Sequence, residues 1–242
     1  MLKLEHLAWQ LPVGEAIIKD IDLEIQEGKL VVITGPNGGG KTTLAKLIAG
    51  IETPTSGRIL LRGEDITHRD VTERARRGVA YAFQQPVRFK GVTVQDLLEL
   101  AAGEKLGENQ LCDLLGKVGL CAGEYTGREL NSGLSGGEIK RIEIASVLAR
   151  RAPLSIFDEP EAGIDLWSFA RLVETFEELR RERRGTLVVI SHQERILSIA
   201  DEIVVIADGK VRQAGPRLQV LPTLLADEMQ PRCPLRKEDA RV

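Results

Sequence analysis

The chain has 242 residues, 43% hydrophobic and 29% charged, an ordinary globular composition that argues against disorder. Its 33 Lys and Arg against 36 Asp and Glu leave a net charge of −3, which gives no field for general nucleic-acid binding. No apolar run approaches the roughly 20 residues that cross a bilayer, the opening MLKLEHLAW is not a secretory signal, and the cysteines (Cys112, Cys121 and Cys233) form no C-x-x-C pair, so a disulfide framework and a zinc knuckle are disfavoured and the expected place is a reducing cytoplasm.

Short apolar strands alternate with amphipathic helices. Residues 2–9 and 16–25 alternate apolar with polar and read as half-buried strands. The run 29–35 is continuously apolar and reads as a strand buried on both faces. A glycine-rich loop follows, then a helix over 42–50 stopped by Gly50. Strands are predicted at 58–63 and 78–83, and helical spacing at 94–102 and 109–119. A helix over 137–151 is expected to turn Ile139, Ile142, Ala145, Ser146 and Leu148 inward. Residues 153–160 read as a buried strand ending in acids. A long helix over 165–185, capped by Gly185, should bury Leu166, Phe169, Ala170, Val173 and Phe176. A strand at 186–192 and a hairpin over 203–215 turning at Asp208-Gly209 complete the pattern. The tail after Pro216 reads as helical at first, then charged. Alternating strands and helices imply an α/β fold with a mainly parallel sheet, and the helical stretch near 84–135 reads as an inserted subdomain.

Four features carry chemistry. GPNGGGKT, Gly35 to Thr42, fits G-x-x-x-x-G-K-[ST] and sits between a predicted strand and a helix, where that motif cradles phosphate. Its glycines turn backbone N–H groups toward phosphate oxygens, Lys41 would reach the β- and γ-phosphates, and the Thr42 hydroxyl would ligate Mg²⁺. Asp158 and Glu159 end an apolar strand, where ligands of a parallel sheet gather. Asp158 would hold Mg²⁺ and Glu159 would orient or deprotonate an attacking water. His192 closes another core strand and could hydrogen-bond the γ-phosphate. LSGGE, Leu134 to Glu138, opens a helix with exposed backbone N–H groups, a second phosphate receptor. Two receptors with one phosphate-loop lysine imply a head-to-tail homodimer, each nucleotide held between Lys41 of one copy and Ser135 of the other.

Together GPNGGGKT, YAFQQP, LSGGE, SIFDEP, EAGID and ISH, in this order and at these spacings over about residues 2–215, resemble the ATP-binding-cassette (ABC) ATPases. The resemblance implies a P-loop NTPase core with a mainly parallel sheet, an antiparallel β subdomain and the inserted helical subdomain. It implies one ATPase unit over 1–216 with a C-terminal helix and tail at 217–242, and ATP with Mg²⁺ as cofactors. It implies that Gln84 touches Mg²⁺ or the attacking water, that Asp165 communicates across the dimer, and that Trp9 stacks on adenine. The nucleotide would be held by Gly35, Pro36, Asn37, Gly38, Gly39, Gly40, Lys41, Thr42 and Thr43 of one copy and by Ser135, Gly136, Gly137 and Glu138 of the other. Within the family, NSGLSGGEIKR, FQQPVRFKGVTVQDLL and SHQERIL resemble the SufC branch, the ATPases of SUF iron–sulfur cluster assembly, which implies soluble SufB/SufD-like scaffold partners. Pro160 is instead the transporter-like choice, and the alternative partner is a membrane permease; a groove near Val87 to Val92 would dock either kind of partner, so it does not separate them. A DNA-maintenance ATPase is disfavoured because no long heptad coil separates Gln84 from Ser135.

Overall fold

The computed structural model describes residues 1–131, 133–183 and 185–228. Cys233 and most of the charged tail therefore lie outside the described residues. Two sheets carry the fold. Strands β1 (Leu2–Gln10), β2 (Ala16–Ile25), β4 (Ser56–Leu61) and β5 (Glu64–Asp65) form an antiparallel sheet in the order β2-β1-β4-β5. The second sheet has the order β10-β9-β3-β8-β7-β6, with β3 (Leu30–Thr34), β6 (Val79–Ala82), β7 (Leu154–Asp158), β8 (Thr186–Ile190) and β9 (Glu202–Ala207) parallel and β10 (Lys210–Pro216) antiparallel at one edge.

The continuous apolar runs are explained by the parallel sheet's position between two cores. Leu30 and Val32 of β3, with Leu187 and Val189 of β8, face one core, and Val31 and Ile33, with Val188 and Ile190, face the other. A strand covered on both faces has no polar side to show, so period-two alternation disappears. The β9–β10 hairpin turns at Asp208 (φ 52°) and Gly209 (φ 73°), the left-handed pair that a two-residue hairpin requires.

The helices are α1 (Lys41–Ala49), α2 (Val71–Arg76), α3 (Val94–Ala102), α4 (Glu108–Lys117), α5 (Ala122–Tyr125), α6 (Gly136–Ala149), α7 (Leu166–Glu182), α8 (Glu194–Ile199) and α9 (Arg217–Glu228). Several expectations need correction. Helix α6 is buried on more than one face: Lys140, Ile144, Val147 and Ala149 are buried as well as Ile139, Ile142 and Ala145, while Ser146 and Leu148 are only half-buried. The cause is its place between α3 on one side and β6 on another. In α7, Leu166 is 67% exposed and Leu172 takes the inward place, because the first turn runs outward from its cap. That helix stops at Arg183 (φ 49°) rather than at Gly185, whose N–H bonds the Arg183 carbonyl after the chain has turned. Helices α2 and α8 have six residues each and escape a periodicity reading. The Asp70…Glu73 capping box is the signal by which α2 could have been found.

Helix α1 is anchored from below by Arg74 of α2. Its fully buried guanidinium donates to the carbonyls of Leu47 and Ile48 at the C-terminal end of α1 and to those of Thr67 and Arg69. Last-turn carbonyls have no intrahelical donor, so a cation there satisfies them and suits the helix dipole. Burial lowers the guanidinium pKa to about 10.

Candidate nucleotide site

After β3 the chain curls into the glycine loop and enters α1. A Cβ on Gly35 would stand 2.1 Å from the Ile206 carbonyl oxygen of β9, and one on Gly39 would stand 2.8 Å from the same atom. The loop lies flat on β9 only because both positions lack a side chain. It is tied there by Gly209, whose N–H bonds the Gly39 carbonyl at 3.1 Å. The Lys41 ammonium folds into the curl and donates to the carbonyls of Gly35 (2.7 Å) and Pro36 (2.9 Å). Burial lowers its pKa, and the carboxylates of Glu159 and Asp158 work against that shift. Pro36, Asn37 and Gly38 are exposed at the loop's crest, and Thr42 and Thr43 are half-buried in the first turn of α1.

Parallel alignment of β3, β7 and β8 sets their carboxyl ends side by side. Asp158, the last residue of β7, is 0% exposed and accepts hydrogen bonds from Thr42 Oγ1 at 3.1 Å and from Tyr81 Oη at 2.8 Å. Burial raises its pKa, and these two donors hold the shift down. Glu159 follows with φ 45°, a left-handed backbone that is costly for a non-glycine residue and collects at functional sites. Its N–H bonds the Ile190 carbonyl of β8 at 3.0 Å, and its Oε2 accepts Gln84 Nε2 at 2.7 Å. Five of the predicted residues, Lys41, Thr42, Asp158, Glu159 and Gln84, therefore converge.

The remaining predicted residues lie around this centre. His192 is exposed just past β8, and its neighbour Ser191 donates to Glu161 Oε1 at 2.6 Å. Glu161 keeps a second buried oxygen without a hydrogen bond, and burial raises its pKa. Ser135 caps α6 by accepting the Glu138 N–H at 3.2 Å, while its own N–H donates to Glu138 Oε2 at 2.7 Å. The other Glu138 oxygen accepts Tyr125 Oη, and that bond, with those from Ser135, lowers the carboxyl to about 2. Both oxygens of Glu138 are thus taken up by donors of its own chain. Ser135 and Gly136 stand exposed. Gly137 runs against the loop after β7: a Cβ there would lie 2.6 Å from the Gly163 carbonyl oxygen. Asp165 caps α7 by accepting the N–H groups of Trp167 (3.1 Å) and Ser168 (3.0 Å), which lowers its pKa. Trp9 is half-buried on β1, paired in register with Ile18.

Two site residues escape the sequence reading. Tyr81 holds Asp158, and the signal for it is a lone phenol in an otherwise apolar strand, which must find a polar partner when buried. Lys140 is only a branch marker in the sequence, yet its ammonium reaches the carbonyls of Phe83, Gln84 and Asp158.

The donor set fits a magnesium-bound triphosphate. A loop that side chains would fill, a buried ammonium resting on neutral carbonyls, and a fully buried carboxylate beside a hydroxyl together suit phosphate oxygens and a hard divalent cation.

The family description "ABC transporter" matches residues 18–162. The chain is 39% identical over 212 residues to an uncharacterized ABC transporter ATP-binding protein of Methanocaldococcus jannaschii, covering 84% of each. It is 35% identical over 206 residues to the sulfate/thiosulfate import ATP-binding protein CysA of Synechocystis, covering 82% of this chain and 56% of that one, so it spans little more than half of that longer relative. Among solved structures it resembles a dimeric ATP-binding cassette in a post-hydrolysis state bound to ADP and phosphate, with a TM-score of 0.81, 26% identity, and 90% and 99% of the two chains covered.

Proposed function

The chain belongs to the ABC transporter family and is an ATPase that binds ATP with Mg²⁺, and from that premise we propose that it is the nucleotide-binding subunit of a membrane permease. In this reading residues 1–216 form the nucleotide-binding unit, with 84–135 as its helical insertion, and two copies close head to tail over two nucleotides. Lys41 and the loop N–H groups hold the β- and γ-phosphates. Asp158, Thr42 and Gln84 hold the magnesium ion, which neutralises charge building on the phosphate oxygens when bound. Glu159, steadied by Gln84, takes the proton of the attacking water, and His192 hydrogen-bonds the γ-phosphate. Ser135, Gly136 and Gly137 present N–H groups to the partner copy's nucleotide, Glu138 holds that turn in shape, Asp165 sets the loop that crosses the seam, and Trp9 flanks the adenine.

The observation that carries the permease reading is the similarity to ATP-binding proteins of transporters, with Pro160 in support; a partner would dock in an apolar groove beside Gln84. Phe83, Val87 and Phe89 are exposed there, over Leu97, Leu130 and Ile142. Hydrophobic side chains gathered into an exposed patch mark an interaction surface. Among the described residues no helix is long and apolar enough to cross a membrane.

The test is fractionation of the native cells with and without Val87→Asp and Phe89→Asp. The expected outcome is recovery of the wild-type chain with a membrane protein, release of both variants from the membrane, and unchanged ATP turnover of the isolated variants. A second reading, an ATPase working on a soluble SufB/SufD-like iron–sulfur scaffold in the cytoplasm, is supported by Glu138 followed by Lys140 and Arg141 in NSGLSGGEIKR. Recovery of the wild-type chain with a soluble partner and none in the membrane would select it over the permease.

A further inference from the structure

Phe83 of the groove and the acids at the end of β7 lie on separate segments, and one helix grips both. Lys140 sits on α6, just past the Ser135 cap, and is 0% exposed. A lysine is almost never fully buried, because removing an ammonium from water is costly unless its donors are satisfied. Here all three donors are engaged: they reach the carbonyls of Phe83, of Gln84 at 3.2 Å and of Asp158 at 3.2 Å. Glu143, nearly one turn further along, accepts the Phe83 N–H at 2.9 Å through one carboxylate oxygen. Its other oxygen, buried and without a hydrogen bond, lies 3.9 Å from the Lys140 ammonium. The residue Phe83 is therefore held at both backbone groups, N–H by Glu143 and C=O by Lys140.

We propose that Lys140 and Glu143 are positioning residues, a clamp that binds the Phe83–Gln84 segment and the Asp158–Glu159 end of β7 to the helix bearing the Ser135 turn. Gln84 reaches Glu159 at 2.7 Å, so the backbone position of Gln84 sets where the Glu159 carboxylate points. The effect of the clamp on hydrolysis is read on the isolated chain, so the proposal stands apart from the permease reading.

The experiment compares full-length wild type with Lys140→Met, Lys140→Gln and Glu143→Leu. It measures kcat and KM for magnesium ATP, the Kd of a non-hydrolysable ATP analogue, thermal unfolding, and amide hydrogen exchange at Phe83 and Gln84. Lys140→Met should keep analogue Kd within about threefold, lower kcat by about 10- to 100-fold, as a displacement of about 1 Å at a reacting group does, and speed exchange at Phe83 and Gln84. Lys140→Gln, whose amide can still donate to two carbonyls, should recover part of the lost kcat, and Glu143→Leu should reproduce the faster Phe83 exchange with a fall in kcat. Should Lys140→Met fail to fold, the other two variants carry the test. Wild-type kcat in the folded variants would overturn the clamp and leave the permease reading standing. So would equal losses in kcat and analogue binding with unchanged exchange. Recovery of the native chain with a soluble partner would do the converse.

Discussion

The sharpest test of the two-copy seam pairs Gly137→Ala with Gly136→Ala. Both residues lie in the first turn of α6 with ordinary backbone angles, so neither substitution strains φ. They differ in what a Cβ would meet. At Gly137 it would stand 2.6 Å from the Gly163 carbonyl oxygen, well inside van der Waals contact, and the obstacle is backbone rather than a flexible side chain. At Gly136 nothing lies within 4 Å. Overpacking of this kind costs about 1–3 kcal/mol, which for a domain of this size lowers Tm by about 2–4 °C per kcal/mol, or about 2–12 °C in all. Gly136→Ala should leave Tm level or slightly raised, since alanine is the better helix former. Differential scanning calorimetry of the nucleotide-free protein reads this difference. Gel filtration with magnesium ATP and steady-state ATPase assays read the seam. Both variants should lose ATP-dependent dimer and turnover, Gly136→Ala because in the proposed seam a methyl group on the exposed turn would meet the partner copy's nucleotide. An unchanged Tm for Gly137→Ala would mean that the turn and the 163 loop are not in tight register. Wild-type dimerisation and turnover for Gly136→Ala would remove the Ser135 turn from the seam and with it the head-to-tail arrangement.

Two further predictions concern the acids. Glu159→Gln keeps the shape of the side chain but cannot take a proton. It should retain ATP binding, accumulate an ATP-bound dimer on gel filtration, and lose about 10²- to 10⁴-fold in kcat, the usual range for a general base; near-normal turnover would remove Glu159 from that role. Glu161→Gln tests buried charge by pH. Burial raises the Glu161 carboxyl above its unfolded value, with the Ser191 hydroxyl opposing the shift, so the folded state holds that proton longer than the unfolded state. Its ionisation therefore subtracts stability as pH rises from the ordinary carboxylate range through the raised value. In chelator, the Tm of Glu161→Gln minus that of wild type should grow more positive between pH 4 and pH 8, and a constant difference would refute the assignment.

Much of the site is legible because its signals are local. A continuous apolar run followed by glycines and Lys41-Thr42 specifies a buried strand, a phosphate loop and a helix start within one stretch of chain. The same holds for an apolar strand that ends at Asp158, since only a strand covered on both faces can be so uniformly apolar. Local signals fail where a segment is too short for a period to develop, as in α2 and α8. They also fail where a helix has neighbours on more than one side, as α6 has.

The sequence alone determined the α/β alternation, the order of the motifs, and the residue types at the carboxyl ends of the strands, because each depends on neighbours a few positions away. Only the tertiary structure decided that Lys140 grips Phe83, 57 residues distant, and that Tyr81 and Thr42 share Asp158 across 77 and 116 residues. It likewise decided that Gly137 must be bare because the Gly163 carbonyl passes beside it. Such contacts follow from strand order and helix docking. The burial of the whole chain fixes these together, and no local period encodes them.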